Sequence, residues 1–342
     1  MNDYRSLDKY KKGVFRPKED IMELSESIGR KNIYKVLSFG AGTQSTHLLE
    51  MHFRGEIDYD YIVFSDTGAE PKFIHDQMEW WRSRQKEVGN KTPFIVTNHN
   101  AMTRGLEEKL WRYILTDYKR FQLPLYCNEE CSNGTLIKKC GLLPRQCTGD
   151  FKIVPVQQAV RKYIKEEIGL KQNQMIPKDI GIVMDIGFSF DEIRRVGGYK
   201  SHQSDYIYLS YPLIEFGKTT EDSIRFLKQN SFPTKRSRCY LCPFNCDKAE
   251  IGMDWMEIIE TEPLSFLKAC YFDDRIRNLI KDKMERFNST VYFHYSRKPL
   301  REVYERYYAR IEEVYSVELS RWIRQWESFI SDTYMPSGRR AV

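Results

Sequence analysis

A short apolar run, Tyr34 to Phe39 (YKVLSF), passes directly into a glycine-rich turn and then into the helix-like stretch Gln44 to Arg54. Few architectures accommodate a strand, a tight small-residue turn and a helix in that order. The pattern recurs. Tyr61 to Ser65 (YIVFS) leads through a turn to the long segment Phe73 to Val88, with Pro71 where a helix can start. Pro93 to Thr97 (PFIVT) then precedes a helix expected from about Met102 to Asp117. A fourth strand at Ile180 to Met184 and a helix at Glu221 to Gln229 complete the series. Strands alternating with helices of this length predict βαβ units with right-handed crossovers. The expected class is therefore α/β, a Rossmann-like parallel sheet flanked by helices.

Around that domain, expected over residues 31–235, the chain changes character. Residues 1–30 are polar and mostly charged, with a short helix expected around Glu19 to Ile28, and read as an N-terminal extension packed on the main domain. Tyr126 to Gln146 carries Cys127, Cys131 and Cys140 among Gly, Asn and Pro and is expected to be a long functional loop. Residues 236–342 are expected to hold a Cys-x-x-Cys metal region and a helical C-terminal subdomain, ending in a pair of amphipathic helices over Leu300 to Tyr334.

The 342 residues are 41% hydrophobic and 30% charged, which fits a globular chain and rejects disorder. The longest apolar runs fall well short of the roughly 20 residues of a membrane span, and MNDYRSLDKYKKG lacks the apolar core of a signal peptide. A cytoplasmic, reducing setting without a membrane partner is the expectation. There, eight cysteines point to metal or redox chemistry rather than to a disulfide framework. The net charge of +6 permits a polyanionic partner without requiring one.

Three motifs carry chemistry. Ser38-Phe39-Gly40-Ala41-Gly42-Thr43-Gln44-Ser45-Thr46 lies between a strand and a helix. Small residues there let backbone N–H groups approach an anion, and the helix N-terminus adds about half a positive charge. Alone, it is equally the tight turn of a generic doubly wound fold. It fits neither the Walker pattern nor the dinucleotide fingerprint. The second, Ser65-Asp66-Thr67-Gly68-Ala69-Glu70, follows the second strand, where α/β folds bind ligands; an Asx-type turn capping the next helix is the plainer reading. The third is Cys239-Tyr240-Leu241-Cys242-Pro243, with Cys246 four residues on. Two thiolates from one turn can reach one metal, and a Pro beside the second Cys recurs in iron–sulfur runs; four close thiolates suit zinc equally.

Taken together, the motifs resemble the adenine nucleotide alpha hydrolase (pyrophosphatase-loop) superfamily and its phosphoadenosine phosphosulfate (PAPS) reductase branch. The first motif is similar to that superfamily's Ser-x-Ser-Gly-Gly-x-Asp-Ser loop, with Gly40 in place of the second Ser and Gln44 in place of the Asp. Asp66-Thr67-Gly68-Ala69-Glu70 is similar to the reductases' Asp-Thr-Gly-x-Glu, and Cys147 to Val156 (CTGDFKIVPV) to Cys-Cys-x-x-x-Lys-x-x-Pro-Leu. Gly187 to Arg195 (GFSFDEIRR) and Tyr211-Pro212-Leu213 through Thr219, Asp222 and Leu227 resemble two further elements, so the likeness spans about residues 35–245.

The resemblance implies ATP or a PAPS-like nucleotide with its phosphates on Ser38, Gly40, Ala41, Gly42, Thr43, Gln44, Ser45 and Thr46, and its adenosine near Asp66, Thr67 and Gly68. Mg2+ would accompany the phosphates, and Lys152 and Arg194 would neutralise phosphate or sulfonate. Cys147, Cys239 and Cys242, with Cys246 as a candidate fourth ligand, would hold a [4Fe-4S] cluster, zinc being the alternative. The expected activity is that of an ATP pyrophosphatase that adenylylates a substrate for sulfur or nitrogen transfer, with tRNA or DNA as a candidate substrate and a sulfur donor protein as a candidate partner. Sulfonucleotide reduction is an alternative, although the reductases carry a C-terminal nucleophilic Cys and no Cys follows Cys270 here. A non-catalytic nucleotide- or nucleic-acid-binding protein is the third reading.

His47 is expected to be structural, and His294 is a candidate for facing substrate. Tyr304, Tyr307, Tyr308, Trp322 and Trp326 recur at helical spacing, which favours packing over base stacking.

Overall fold

The computed structural model describes residues 2–97, 105–130, 136–233, 235–248, 252–283, 287 and 289–335. Its strands, in chain order, are β1 (Asn32–Phe39), β2 (Tyr61–Ser65), β3 (Phe94–Thr97), β4 (Tyr126–Glu130), β5 (Leu136–Leu142), β6 (Ile180–Ile186), β7 (Ile207–Ser210), β8 (Asp247–Lys248), β9 (Gly252–Met253) and β10 (Ser289–Tyr292). Two compact units divide the chain, and neither is continuous. The first comprises Met1–Ser65, Phe73–Asn98 and Val154–Ser237, the second Asp66–Lys72, His99–Ile153 and Arg238–Val342.

The first unit is a parallel five-stranded sheet in the order β3-β2-β1-β6-β7. β2 is buried along its whole length, as expected of a strand covered on both faces. Alternation along the strands separates two cores. Leu37, Phe39, Ile62 and Phe64 pack with Leu48 and Leu49 of helix Thr43–Phe53, with Trp81, and with Leu213 and Leu227. Val36, Tyr61, Val63 and Ile182 pack with Val156, Val160 and Ile164, which lie four residues apart on helix Val154–Glu167. Helix Lys18–Ser27 is anchored to the sheet by the Lys18 Nζ–Asp185 Oδ2 ion pair at 2.8 Å, within the first unit.

The second unit holds an antiparallel sheet in the order β10-β4-β5 and the helices Leu106–Leu115, Pro263–Lys283 and Glu305–Tyr334. Its core is aromatic, with Trp111, Trp255, Phe266, Phe272, Trp322 and Trp326 buried together. The stretch 126–146, expected to be a loop, instead contains β4 and β5. The backbone groups of β4 find partners in β10, where Val291 faces Cys127, as well as in β5. Cys131 lies outside the described residues, as do residues 102–104 at the expected start of the helix that runs over Leu106–Leu115. The C-terminal pair of helices is a single turn, Leu300–Val303, followed by one 30-residue helix, because no Gly or Pro interrupts Glu305 to Tyr334. Among the described residues, no helix is long and apolar enough to cross a membrane.

Candidate functional site

β1 ends at Phe39, and the helix after it begins at Thr43, so Gly40, Ala41 and Gly42 make the whole connection. β1 is also where the sheet's connectivity reverses: the chain proceeds from it to β2 and β3 on one side, while β6 and β7 lie on the other. The crevice beyond the carboxyl ends of the strands at such a point is the usual ligand site of an open α/β sheet.

Within the turn, Ala41 has a positive φ of 51°. The Gly40 and Gly42 N–H groups on either side converge on one oxygen, Ser45 Oγ, at 3.1 and 3.3 Å. Successive backbone donors wrapped about a left-handed residue form the kind of nest that receives anions. Ser45 Oγ and Thr46 Oγ1 in turn donate to the Gly42 carbonyl, each at 3.0 Å, which fixes the first helical turn. Gln77 Nε2 donates to the Ala41 carbonyl and, at 3.4 Å, to that of Lys235, while its Oε1 accepts from Lys235 N at 2.9 Å. A strap at residues 235–237 is thereby clasped to the turn. A Cβ on Gly42 would come within 2.9 Å of Ser237 Cβ, so this position requires glycine for close approach.

Gln44 Nε2 reaches Glu192 Oε2 at 3.2 Å and Thr220 Oγ1 at 3.3 Å, which engages its amide in a side-chain network. Gly187, beyond β6, packs so closely that a Cβ there would meet Ser45 N at 2.9 Å. Glu192 pairs with Arg195, whose guanidinium lies 4.1 Å from the Phe188 ring centroid. Arg194 is exposed, and its carbonyl accepts from Lys9 Nζ at 3.0 Å. Ser38 is in register with Val63 and Ile186 in the middle of the sheet.

The remaining site residues of the sequence belong to the second unit. Asp66 Oδ1 accepts from Gly68 N at 2.8 Å, an Asx-type turn, and Gly68, at φ 72°, crosses Gly105 closely enough that a Cβ would be 3.0 Å from its Cα. Thr67 Oγ1 donates to Glu70 Oε1 at 3.1 Å, and Lys152 Nζ stands 3.6 Å from the same oxygen. Lys152, in the π-helical turn Gly149–Ile153, is held above the usual lysine range, first by Glu70 and then by the nearby thiols. The other Glu70 oxygen is buried and unpartnered.

Cys239 and Cys242 share a hydrogen bond that raises the first thiol and lowers the second to about 7. Arg145 and Lys152 also favour the Cys242 thiolate. Burial raises the Cys147 thiol, Arg145 opposes the rise and the nearby Cys242 adds to it. Cys246 is tied to the helix Asp254–Thr261, with Asp254 N donating to its carbonyl at 3.0 Å. The Cys239–Cys242 pair thus has the donor chemistry for two ligands of a metal or cluster. Among the described residues, no group of three or more His, Cys, Asp or Glu is gathered around one point that could hold a metal ion.

His47 is stacked on Phe226 and bonded to Ser223 Oγ at 3.0 Å, with burial lowering it to about 4. His294 is 4% exposed, bonded to Ser296 Oγ at 2.7 Å and likewise lowered to about 4, so it is enclosed rather than presented. Trp322 and Trp326 point inward and donate to Glu107 Oε2 at 3.3 and 3.0 Å.

A cavity of about 440 Å³, lined by Tyr34, Asp60, Tyr61, Pro93, Tyr163, Glu166 and Glu167, shares no residue with the turn. Tyr34 and Tyr61 lie toward the amino ends of their strands, away from the glycine connection.

Gln77, Thr220 and Ser237 were not among the residues singled out by sequence. Gln77 carried a signal, being a polar residue on the face of helix Lys72–Glu87 that Ile74, Met78 and Trp81 make apolar. Ser237 carried none, since its neighbours in space are nearly two hundred positions upstream. No protein-family model matches the chain, and no curated protein matches it.

Proposed function

We propose that the Gly40–Thr46 turn holds the β,γ-phosphates of ATP and that the protein is a pyrophosphatase-loop enzyme of the adenine nucleotide alpha hydrolase type. In the proposed reaction a substrate oxygen attacks the α-phosphorus, the bond to the β-phosphate oxygen breaks, and pyrophosphate leaves with the electron pair. A sulfur or nitrogen nucleophile then displaces AMP from the adenylylated substrate. The observation that carries this reading is the convergence of the Gly40 and Gly42 N–H groups on one oxygen, held here by Ser45 Oγ, at the switch point of a parallel sheet; a phosphate oxygen would take over those donors from the serine. Preorganised donors of this kind stabilise phosphate charge without reorganising during reaction.

Lys152 and Arg194 remain the proposed partners of phosphate or sulfonate, and Mg2+ the proposed counterion of the polyphosphate. Gln44 offers Mg2+ an amide oxygen in place of a carboxylate, a poorer ligand for a hard cation, and slow or acceptor-dependent turnover follows. Cys147, Cys239 and Cys242, with Cys246 as candidate fourth, are the thiols proposed to hold a [4Fe-4S] cluster or zinc; such a centre would hold or deliver sulfur. Acceptor classes proposed for the assay are tRNA and DNA.

The test incubates anaerobically purified protein, after iron, zinc and sulfide analysis, with labelled ATP, Mg2+ and nucleic-acid acceptors, and separately with labelled PAPS and thioredoxin. AMP and pyrophosphate from ATP are expected, along with loss of ATP binding in Gly42→Val, assayed below its melting transition, which the collision with Ser237 should lower. Sulfite from PAPS with no pyrophosphate from ATP would establish the reductase instead. Equal ATP binding by wild type and Gly42→Val would remove the loop from the site.

A further inference from the structure

The strap over the glycine turn carries an unexplained polar group. Ser237 Oγ is closed off from solvent and has no hydrogen-bond partner. A buried hydroxyl without a partner is destabilising, so its persistence calls for a physical reason. Its position supplies one. The direction in which a Gly40 side chain would project ends 4.0 Å from Ser237 Oγ, and that of Gly42 ends 2.9 Å from Ser237 Cβ and 3.1 Å from Ser237 N. The hydroxyl therefore stands beside the two glycines whose N–H groups both donate to Ser45 Oγ.

Gln77 fixes the strap there by bonding both Ala41 and Lys235, all within the first unit. Lys235 and Arg236 precede Ser237 and add positive charge to the same strap.

We propose that Ser237 is a phosphate-positioning residue: its hydroxyl donates to an oxygen of the phosphate chain seated on Gly40–Thr46, across from the backbone donors of the turn. This rests on the polyphosphate reading of the loop. In that arrangement the phosphate is held from two sides, by main chain below and by the strap above. The ligand chemistry recognised is a phosphoanhydride, whether from a nucleoside triphosphate or from free pyrophosphate.

The substitution Ser237→Ala separates this role from a structural one, because it removes an unsatisfied buried group. Without nucleotide, its melting temperature should equal or exceed that of the wild type. Titration calorimetry with ATP, pyrophosphate and AMP should show about tenfold weaker binding of ATP and pyrophosphate, the loss of one charge-assisted hydrogen bond, with AMP unaffected. A parallel loss for ATP and pyrophosphate assigns the contact to the anhydride; a loss for ATP alone places it on the nucleotide-bound chain.

Equal affinities in wild type and variant would overturn the proposal while leaving the loop reading intact. So would a lowered melting temperature in the unliganded variant, which would make Ser237 a packing residue. Wild-type protein that binds neither ATP nor pyrophosphate would overturn the loop reading and this inference together.

Discussion

Glu215 lies beside the buried Asp185 and accepts from Lys18 N at 2.9 Å and Ser210 Oγ at 3.3 Å. Lys18 Nζ is committed to Asp185, as is the Tyr59 hydroxyl at 2.9 Å, and Tyr4 also senses the Glu215 charge. Burial and then the Asp185 charge push the Glu215 carboxyl up to about 7. An unfolded glutamate titrates near 4.3, so the folded protein holds the proton more tightly. The stability this provides is complete below the unfolded value and is lost as pH rises through about 7, by something on the order of 3–4 kcal/mol. Between pH 6 and pH 8 the melting temperature of the wild type should therefore fall more than that of Glu215→Gln, whose amide oxygen can still accept from Lys18 and Ser210. Parallel pH profiles would show that Glu215 does not titrate in this window. Such couplings were illegible in the sequence, since Lys18, Asp185 and Glu215 are far apart in the chain. Ser237 and the strap were hidden for the same reason, whereas the Gly40–Thr46 turn was legible because strand, turn and helix are contiguous.

Among the elements, helix Thr220–Gln229 begins on a capping box. Thr219 Oγ1 accepts from Asp222 N at 3.1 Å, while Asp222 Oδ2 accepts from Thr219 N at 2.9 Å and from Thr219 Oγ1 at 2.8 Å, and the two bonds to Oδ2 hold the Asp222 carboxyl below its usual range. Thr219→Ala should cost about 1 kcal/mol, read as a lower urea midpoint at an unchanged slope; an unchanged midpoint would mean that the cap contributes nothing. In sequence the Thr and Asp of this stretch resemble a family motif; in the fold they form a helix cap. Local pattern served well where both faces of a strand are buried: Tyr61–Ser65 has the limits its apolar run implies. It failed for Tyr126–Glu130 and Leu136–Leu142. There polar residues and a glycine read as loop, while the ladder that makes them strands depends partly on Ser289–Tyr292, more than a hundred residues downstream. Strand identity set by a distant partner leaves little trace in local composition.

At the scale of the molecule, two units with separate cores are each assembled from three stretches of chain. In the second unit, Glu107 joins three of its parts. Its carboxylate accepts from Trp322 and Trp326 Nε1 on the long C-terminal helix, accepts from the Tyr240 hydroxyl, and faces Lys268 Nζ at 3.9 Å. Burial raises its carboxyl against the opposing pull of Lys268 and the two indoles. Glu107→Gln keeps the shape but cancels the charge opposite Lys268, and its NH2 cannot accept from the donors that a carboxylate oxygen serves. A cost of about 2–4 kcal/mol is expected, because the donors left behind are buried. All of these partners lie within the second unit, so the loss should be confined to it. Hydrogen exchange should therefore quicken across Leu106–Leu115, Pro263–Lys283 and Glu305–Tyr334 in Glu107→Gln, while the amides of β1, β2 and β6 exchange at the wild-type rate. Equal acceleration in both units would show that they unfold as one cooperative body, and no acceleration in either would show that the Glu107 cluster is energetically neutral.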